Sequence, residues 1–154
     1  MTGERSTAGS TAARAGRSYV VGPDGRAKAY RPLPASTRIA AVVAGLNAYA
    51  NGDFFEAHEH MEPAWMGTPD PAERALIQGL IKVAAADVHA VRGNARGVVR
   101  NLEGARDRLR SASTDGRITG IDLDVAALLA DIDARLAAGS ERSSGPMRIS
   151  WRRR

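Results

Sequence analysis

Apolar residues recur at the spacing of an amphipathic helix through most of this chain, and Gly, Pro and Asn interrupt the pattern at short intervals. No segment alternates apolar and polar residues like a strand for more than a few positions. The pattern therefore predicts an all-α protein with about five helices. The expected helices cover about residues 37–50, 54–66, 71–92, from Asn94 to before residue 113, and 122–138.

Residues that favour helix ends support these bounds. Ser36 is expected to cap the first helix, and Asp53, after Asn51-Gly52, to cap the second. Asp70 is expected to cap the third, with Pro71 at its first position and Glu73 reaching back to the cap. Pro63 is expected to bend the last turn of the second helix.

The two glycines that separate helices suggest the architecture. Gly52-Asp53 precedes the second helix and Gly93-Asn94 precedes the fourth, and each glycine joins two consecutive helices. The sequence thus predicts two antiparallel helical hairpins and a closing C-terminal helix, much as in tetratricopeptide-like hairpins. A chance similarity between the hairpins and a true repeat both fit this pattern.

The length of 154 residues predicts one domain, placed at 36–138, between a basic leader of 1–35 and a basic tail of 139–154. Of the net charge of +5, the leader and the tail carry +4 each, so the domain carries −3. We expect flexible, solvated tails, with one short extended piece at Tyr19 to Val21. Trp151 has two interpretations, docking on the core or contact with phosphate.

Several classes of function are not supported by the sequence. No apolar run is long enough to span a bilayer and the N-terminus lacks the apolar stretch of a signal peptide, so no membrane association and a cytoplasmic location are expected. There is no cysteine, so a metal site must use His, Asp or Glu. The arginines of the fourth helix are offset by Glu103 and Asp107, which argues against nucleic-acid binding.

The second helix carries the clearest candidate site. His58 and Glu62 are four residues apart, so their side chains meet on successive turns, with Glu59 at the edge of the same face. Glu56 and His60 point away from that face. The pair is expected to face the bundle interior between two apolar groups, Phe54, Met61 and Trp65 on one side and Phe55 and Met66 on the other.

The third helix adds two polar residues whose partners the sequence leaves open. Asp87 lies within its apolar arc and is expected to meet an arginine, the His58 and Glu62 pair, or an exposed gap between helices. His89 lies on another side of this helix. It can reach the pair only if the third helix is covered on both faces.

Two interpretations of this cluster compete. In the first, His58 and Glu62 bind a divalent metal ion and Glu59 is the general base, in the manner of HExxH proteases with glutamate in the final place. In the second, His58 and Glu62 hydrogen-bond each other and orient the hairpin. The spacing alone favours the structural interpretation, and it favours a salt bridge for Asp87.

Two stretches resemble a known family. They are NGDFFEAHEHMEPAW at 51–65 and LIQGLIKVAAADVHAVRGNARG at 76–97, and they resemble domain-of-unknown-function family 309, a family of small all-helical bacterial and archaeal proteins. The resemblance covers roughly residues 40–136. The sequence departs from the family pattern at Pro63 and at Asp87 and Val88, because family members often have aromatic residues just before the histidine. The matching positions are Asn51, Gly52, Phe55, Glu56, His58, Glu59, Glu62, Trp65, Gln78, Gly79, His89, Gly93 and Asn94.

Family members are sometimes described as predicted metal-dependent hydrolases. This description agrees with the first interpretation of the cluster. The leading hypothesis is a divalent metal ion held by His58, Glu62 and His89, with Asp87 as the alternative to His89, Glu59 as the catalytic residue, and an unknown small molecule or peptide as substrate. The alternative is a non-enzymatic, tetratricopeptide-like interaction module that presents a groove to a peptide or a partner subunit. Assembly with further copies of the chain fits either hypothesis.

Overall fold

The computed structural model describes residues 19–21, 27–112, 117–139 and 145–154, with side chains from Tyr30 onward. The chain divides into two compact units, Met1–Arg31 and Pro32–Arg154. In the first unit, β1 (Tyr19–Val21) pairs antiparallel with β2 (Ala27–Ala29), so the extended piece expected at Tyr19 to Val21 is a strand. Residues 1–18 and 22–26 of the predicted leader and 140–144 of the predicted tail lie outside the described residues.

The described residues of the second unit form five helices, as predicted. They are α1 (Ala35–Ala50), α2 (Phe54–Gly67), α3 (Pro71–Val91), α4 (Ala95–Ser111) and α5 (Val125–Ala138). Each helix packs against the next in the chain, which forms the hairpins α1–α2 and α3–α4 and places α5 on α4. The all-α class is confirmed, and strands in the described residues are only three residues long.

The core is aliphatic, as expected for a chain with few aromatic residues. Leu46, Leu76 and Leu102 are almost fully buried, together with Met61 and Trp65 of α2. Glycines allow close helix packing: a Cβ on Gly45 would overlap Met61, and one on Gly79 would lie 2.8 Å from Leu109. Gly52 and Gly93 adopt φ of 83° and 70°, a conformation that favours glycine, and each follows the last turn of a helix.

Some predicted helix ends are confirmed. The Asp70 side chain accepts a hydrogen bond from the Glu73 amide at 3.0 Å, and Asn94 accepts one from the Gly97 amide at 3.0 Å. Asp53 occupies the N-cap position of α2, although its side chain makes no capping bond. Pro63 lies inside α2, exposed to solvent.

Three details at helix ends differ from prediction. Ser36 is not the cap of α1, because Pro34 takes that position and its carbonyl accepts from the Arg38 amide at 3.0 Å. Glu73 does not reach back to Asp70, because its carboxylate accepts from the amide and hydroxyl of Thr119. The fifth helix begins after Asp124, not at Asp122.

The late start of α5 has a structural cause. Residues Ile121–Leu123 form β3, which pairs antiparallel with β4 (Trp151–Arg153). Asp122 accepts from Arg152 at 2.8 Å and also pairs with Arg154. These arginines and the buried Met147 hold residues 145–154 against the helical unit. Trp151 therefore docks on the domain through β4, which resolves the two interpretations left open for it.

Candidate functional site

The second helix is positioned by packing on both of its neighbours in the chain. Gly52 makes the turn from α1, and the ring of Phe54 at the start of α2 packs on Tyr49 of α1 with a centroid distance of 5.1 Å. Ala57, Met61, Ala64 and Trp65 form the buried face of α2. Because that face is fixed against the core, the orientation of the polar residues between its apolar positions is fixed as well.

His58, Glu59 and Glu62 come together on α2. Each offers one ligand atom, an imidazole nitrogen or a carboxylate oxygen, and these three atoms lie within 4.8 Å of one another. Within the described residues, this is the group of three or more His, Asp or Glu side chains that could hold a metal ion. The structure thus brings together two of the predicted ligands and the predicted base.

The cluster is partly shielded from water. The His58 side chain is 30% exposed and that of Glu59 is 52% exposed, while Glu62 is half-buried. The Nδ1 atom of His58 is itself buried and makes no hydrogen bond, although Oε1 of Glu59 lies 3.3 Å away. The site therefore combines two kinds of group. Its imidazole nitrogen is buried and makes no hydrogen bond, whereas its carboxylates are accessible to solvent.

The flank of α2 that carries the cluster faces α3. Phe55 lines a pocket with Val88 and Val91 of α3, which shows that this flank is turned toward α3. At about 100° per residue, His58 and Glu62 lie within roughly 60° of Phe55 around the helix axis. They therefore lie along the junction of α2 and α3, at the edge of the core.

The aromatic shielding is less complete than predicted. Trp65 is buried beside the pair and Phe54 is half-buried, but Phe55 is 57% exposed. Phe55 lies farther from the centre of the buried face than Met61 and Trp65, so it reaches the surface. The pair is consequently at the rim of the bundle and not enclosed by it.

Glu56 and His60 form a separate pair on the solvent side of the same helix. Nε2 of His60 lies 3.9 Å from Oε2 of Glu56, and both side chains are about half exposed or more. The helical wheel predicted that these two residues would point away from His58 and Glu62, and the structure confirms it. This second pair has the same i, i+4 spacing as the first and serves as its internal control.

His89 is not part of the cluster that the structure brings together. Its ring lies against Gly97 of α4, where any side chain would collide with it, and its Nδ1 lies 3.1 Å from the Asn94 side-chain nitrogen. It thus packs at the turn between α3 and α4. Its predicted role as a third ligand gains no support from this position.

Asp87 has a structural partner, which was one of the predicted outcomes. Its carboxylate accepts from Arg135 of α5 at 3.0 Å and from the Tyr49 hydroxyl of α1, and its side chain is only 4% exposed. The Tyr49 hydroxyl in turn accepts from the Met147 amide at 2.8 Å. Burial, followed by the adjacent Asp87 carboxylate, raises the pKa of Tyr49 well above its usual range.

Sequence reasoning missed two features of this region. Tyr49 and Arg135 lie 38 and 48 positions from Asp87, so no local pattern pairs them. The pocket beside Phe55 was also missed, because Phe55 fitted the expected apolar flank of the pair. The sequence carries no signal for this pocket, because the exposure of Phe55 depends on how α2 packs in the bundle.

The fold and the cluster define an all-α bundle with a candidate metal centre at the junction of α2 and α3. The family model described as Domain of unknown function (DUF309) matches residues 42–101, from within α1 to within α4. This match confirms, over those residues, the resemblance that the two motifs predicted. The matched region includes His58, Glu59, Glu62 and His89 and leaves out α5 and the C-terminal segment.

Comparisons with curated proteins and with solved structures found no match. A search for membrane-crossing helices found none in the described part of the chain that is long and apolar enough.

Proposed function

We propose that the protein binds a divalent transition-metal ion through His58, Glu59 and Glu62 and uses it in a hydrolytic reaction. The observation that supports this function is the convergence of three ligand atoms within 4.8 Å of one another. Metal–ligand bonds to imidazole nitrogen and carboxylate oxygen are about 2.0–2.2 Å long, so small side-chain rotations around a central ion would complete the site.

The chemistry of the ligands suits this class of metal. One imidazole and two carboxylates favour Zn²⁺, Mn²⁺ or Fe²⁺, and the chain has no cysteine that would select softer ions. The buried Nδ1 of His58 makes no hydrogen bond, and its contact with the Glu59 carboxylate is a 3.3 Å ion pair. Coordination of a cation would satisfy that nitrogen and offset the mutual repulsion of Glu59 and Glu62.

The arrangement also suits hydrolysis. Three protein ligands leave room for water, and a bound ion of this kind lowers the pKa of its water to about 7. Glu59 is the most exposed member of the group and has two carboxylate oxygens. Glu59 would help to hold the ion and, as a general base, would accept the proton of the attacking water.

Metal analysis of the purified chain tests this function. Protein prepared without chelators is expected to contain close to one equivalent of metal or to take it up on addition of Zn²⁺, Mn²⁺ or Fe²⁺. His58→Ala and Glu62→Ala should lose that metal, while His60→Ala on the same helix should keep it. A folded wild-type protein that contains no metal and takes up none of the three ions would exclude the proposal.

A second candidate function is a non-enzymatic module that binds a peptide or partner. Two exposed apolar side chains favour this function: Phe55 is 57% exposed and Val91 is 77% exposed. They line the same pocket instead of lying at separate places on the surface, which is typical of a binding site. Under this hypothesis a bound partner is lost on Phe55→Ala and kept in His58→Ala. The reverse pattern would favour the metal site as the functional centre.

A further inference from the structure

A second candidate site lies one turn from the His58 cluster. A pocket of about 330 Å³ opens where the start of α2 meets the end of α3. Phe55, Val88 and Val91 supply its apolar surface, and Asp53, Glu56 and Arg92 lie around it. This volume is at the lower end of the range for small-ligand sites, so it suits one large side chain and its neighbouring backbone.

The apolar surface of this pocket is unusual for the chain. The large hydrophobic side chains that are exposed in the described residues are Phe55, Val91 and Val99, and two of these three line the same pocket. Exposed apolar groups gathered in one concave place mark binding sites more often than single exposed residues do. The apolar part of a ligand would cover Phe55 and Val91 and remove them from water.

The charges around the pocket define the rest of the ligand. Asp53 and Glu56 are three residues apart, so their carboxylates can approach the same cation. Asp53 makes no capping hydrogen bond, and the nearest charged partner of Glu56 is His60 at 3.9 Å. The end of α3 favours positive charge and the start of α2 favours negative charge, so the helix dipoles oppose each other here and the two carboxylates supply the attraction for a cation.

Arg92 gives the pocket a positively charged hydrogen-bond donor. It caps the end of α3, is exposed, and makes no ion pair within the described residues. A guanidinium has several N–H donors and no acceptor, so it complements a carbonyl oxygen. The pocket therefore offers an apolar surface, an acidic pair and a hydrogen-bond donor within one small volume.

We propose that this pocket binds the amino terminus of a peptide whose first residue is large and apolar. The first side chain rests on Phe55 and Val91, the terminal ammonium binds Asp53 and Glu56, and the first carbonyl accepts from Arg92. Phe55 and His58 are three residues apart on α2, so their Cβ atoms are about 5–6 Å apart. The pocket thus neighbours the His58 cluster along α2. That a bound peptide is also a substrate of the cluster rests on the proposed function, whereas the binding itself does not.

Titration of the ¹⁵N-labelled full chain with leucyl-glycyl-glycinamide tests the proposal. The experiment is run with EDTA at about pH 6.5, where the peptide amine is protonated. Saturable shifts are expected at the amides of Gly52–Glu56 and Val88–Gly93. The N-acetylated peptide, which lacks the ammonium, and glycyl-glycyl-glycinamide, which lacks the side chain, should bind at least about tenfold more weakly.

Variants separate this pocket from a general affinity for peptides. Phe55→Ala and Glu56→Gln are expected to weaken binding at least about fivefold, because each removes one recognised group. Val99→Ala removes the exposed hydrophobic residue outside the pocket and should leave binding unchanged. Absence of saturable shifts, equal binding of the acetylated peptide, or shifts located elsewhere on the chain would overturn the proposal. Because no metal is present, failure here is distinguishable from failure of metal binding.

Discussion

The guanidinium of Arg135 donates a 3.0 Å hydrogen bond to the buried carboxylate of Asp87, and so joins α5 to α3. The same guanidinium donates to the Gly145 carbonyl at 3.3 Å, while Tyr49 bridges Asp87 and the Met147 amide. One buried carboxylate thus ties together α1, α3, α5 and the C-terminal segment. Asp87 is not part of the ligand group on α2, and this network explains it as a structural residue.

Replacing Asp87 by alanine is expected to destabilise the fold strongly. The substitution leaves Arg135, whose side chain is 12% exposed, buried without its anion, and removing one partner of a buried ion pair costs about 3–5 kcal/mol. Urea denaturation of both proteins measures the difference. Asp133→Ala is the control: it breaks exposed pairs with Arg106 and Arg110 and should cost less than about 1 kcal/mol. Equal losses for the two variants would contradict a central role for Asp87.

Acid is expected to loosen the pairing of β3 with β4. Hydrogen bonds from Arg154 and Arg152 lower the pKa of Asp122 below the ordinary value of 3.8. The stabilisation is therefore complete above about pH 4 and is lost as the pH falls through the lowered pKa. The pH dependence of the protection factors of the Trp151–Arg153 amides, which are exchange rates corrected for the intrinsic rate at the same pH, measures it. Asp122→Asn should remove the pH dependence, and an unchanged profile in that variant would contradict the assignment.

Close packing of α3 on α4 predicts different effects for two glycine substitutions. A Cβ at Gly79 would lie 2.8 Å from Leu109, so Gly79→Ala should cost about 1–3 kcal/mol through overpacking. A Cβ at Gly104 meets only the flexible end of Lys82, so Gly104→Ala should be neutral or stabilising by up to about 1 kcal/mol. Thermal unfolding compares them. If both variants lose the same stability, the packing explanation is wrong.

The helices could be predicted because their cues are local. The starts of α3 and α4 could be predicted from Asp70 and Asn94, whose side chains accept hydrogen bonds from amides three positions later. Pro71 at the first position of α3 marks the same start. Contacts distant in sequence could not be predicted in the same way. Glu73 binds Thr119, 46 positions away, instead of its own cap, and Asp122 enters a strand because β4 lies beside it.

The candidate site, like the helices, could be predicted because its residues are close together in the sequence. His58, Glu59 and Glu62 lie within two turns of one helix, so helix geometry alone brings them together. The position of His89 depends on how α3 and α4 pack, and Gly97 allows its ring to lie against α4 instead. The exposure of Phe55 likewise depends on how deeply α2 sits in the bundle. The enzymatic role and the cellular compartment stay predictions.

Competition titration of the full chain with Zn²⁺ and a coloured chelator tests the central claim most directly. The wild type is expected to bind one equivalent at neutral pH, and affinity should fall as the pH drops, because protons compete for the imidazole and carboxylates. His58→Ala should weaken binding about tenfold or more, whereas His60→Ala, from the exposed i, i+4 pair, should match the wild type. Equal affinities for these two variants, or no binding by a folded wild type, would contradict a metal site at His58, Glu59 and Glu62.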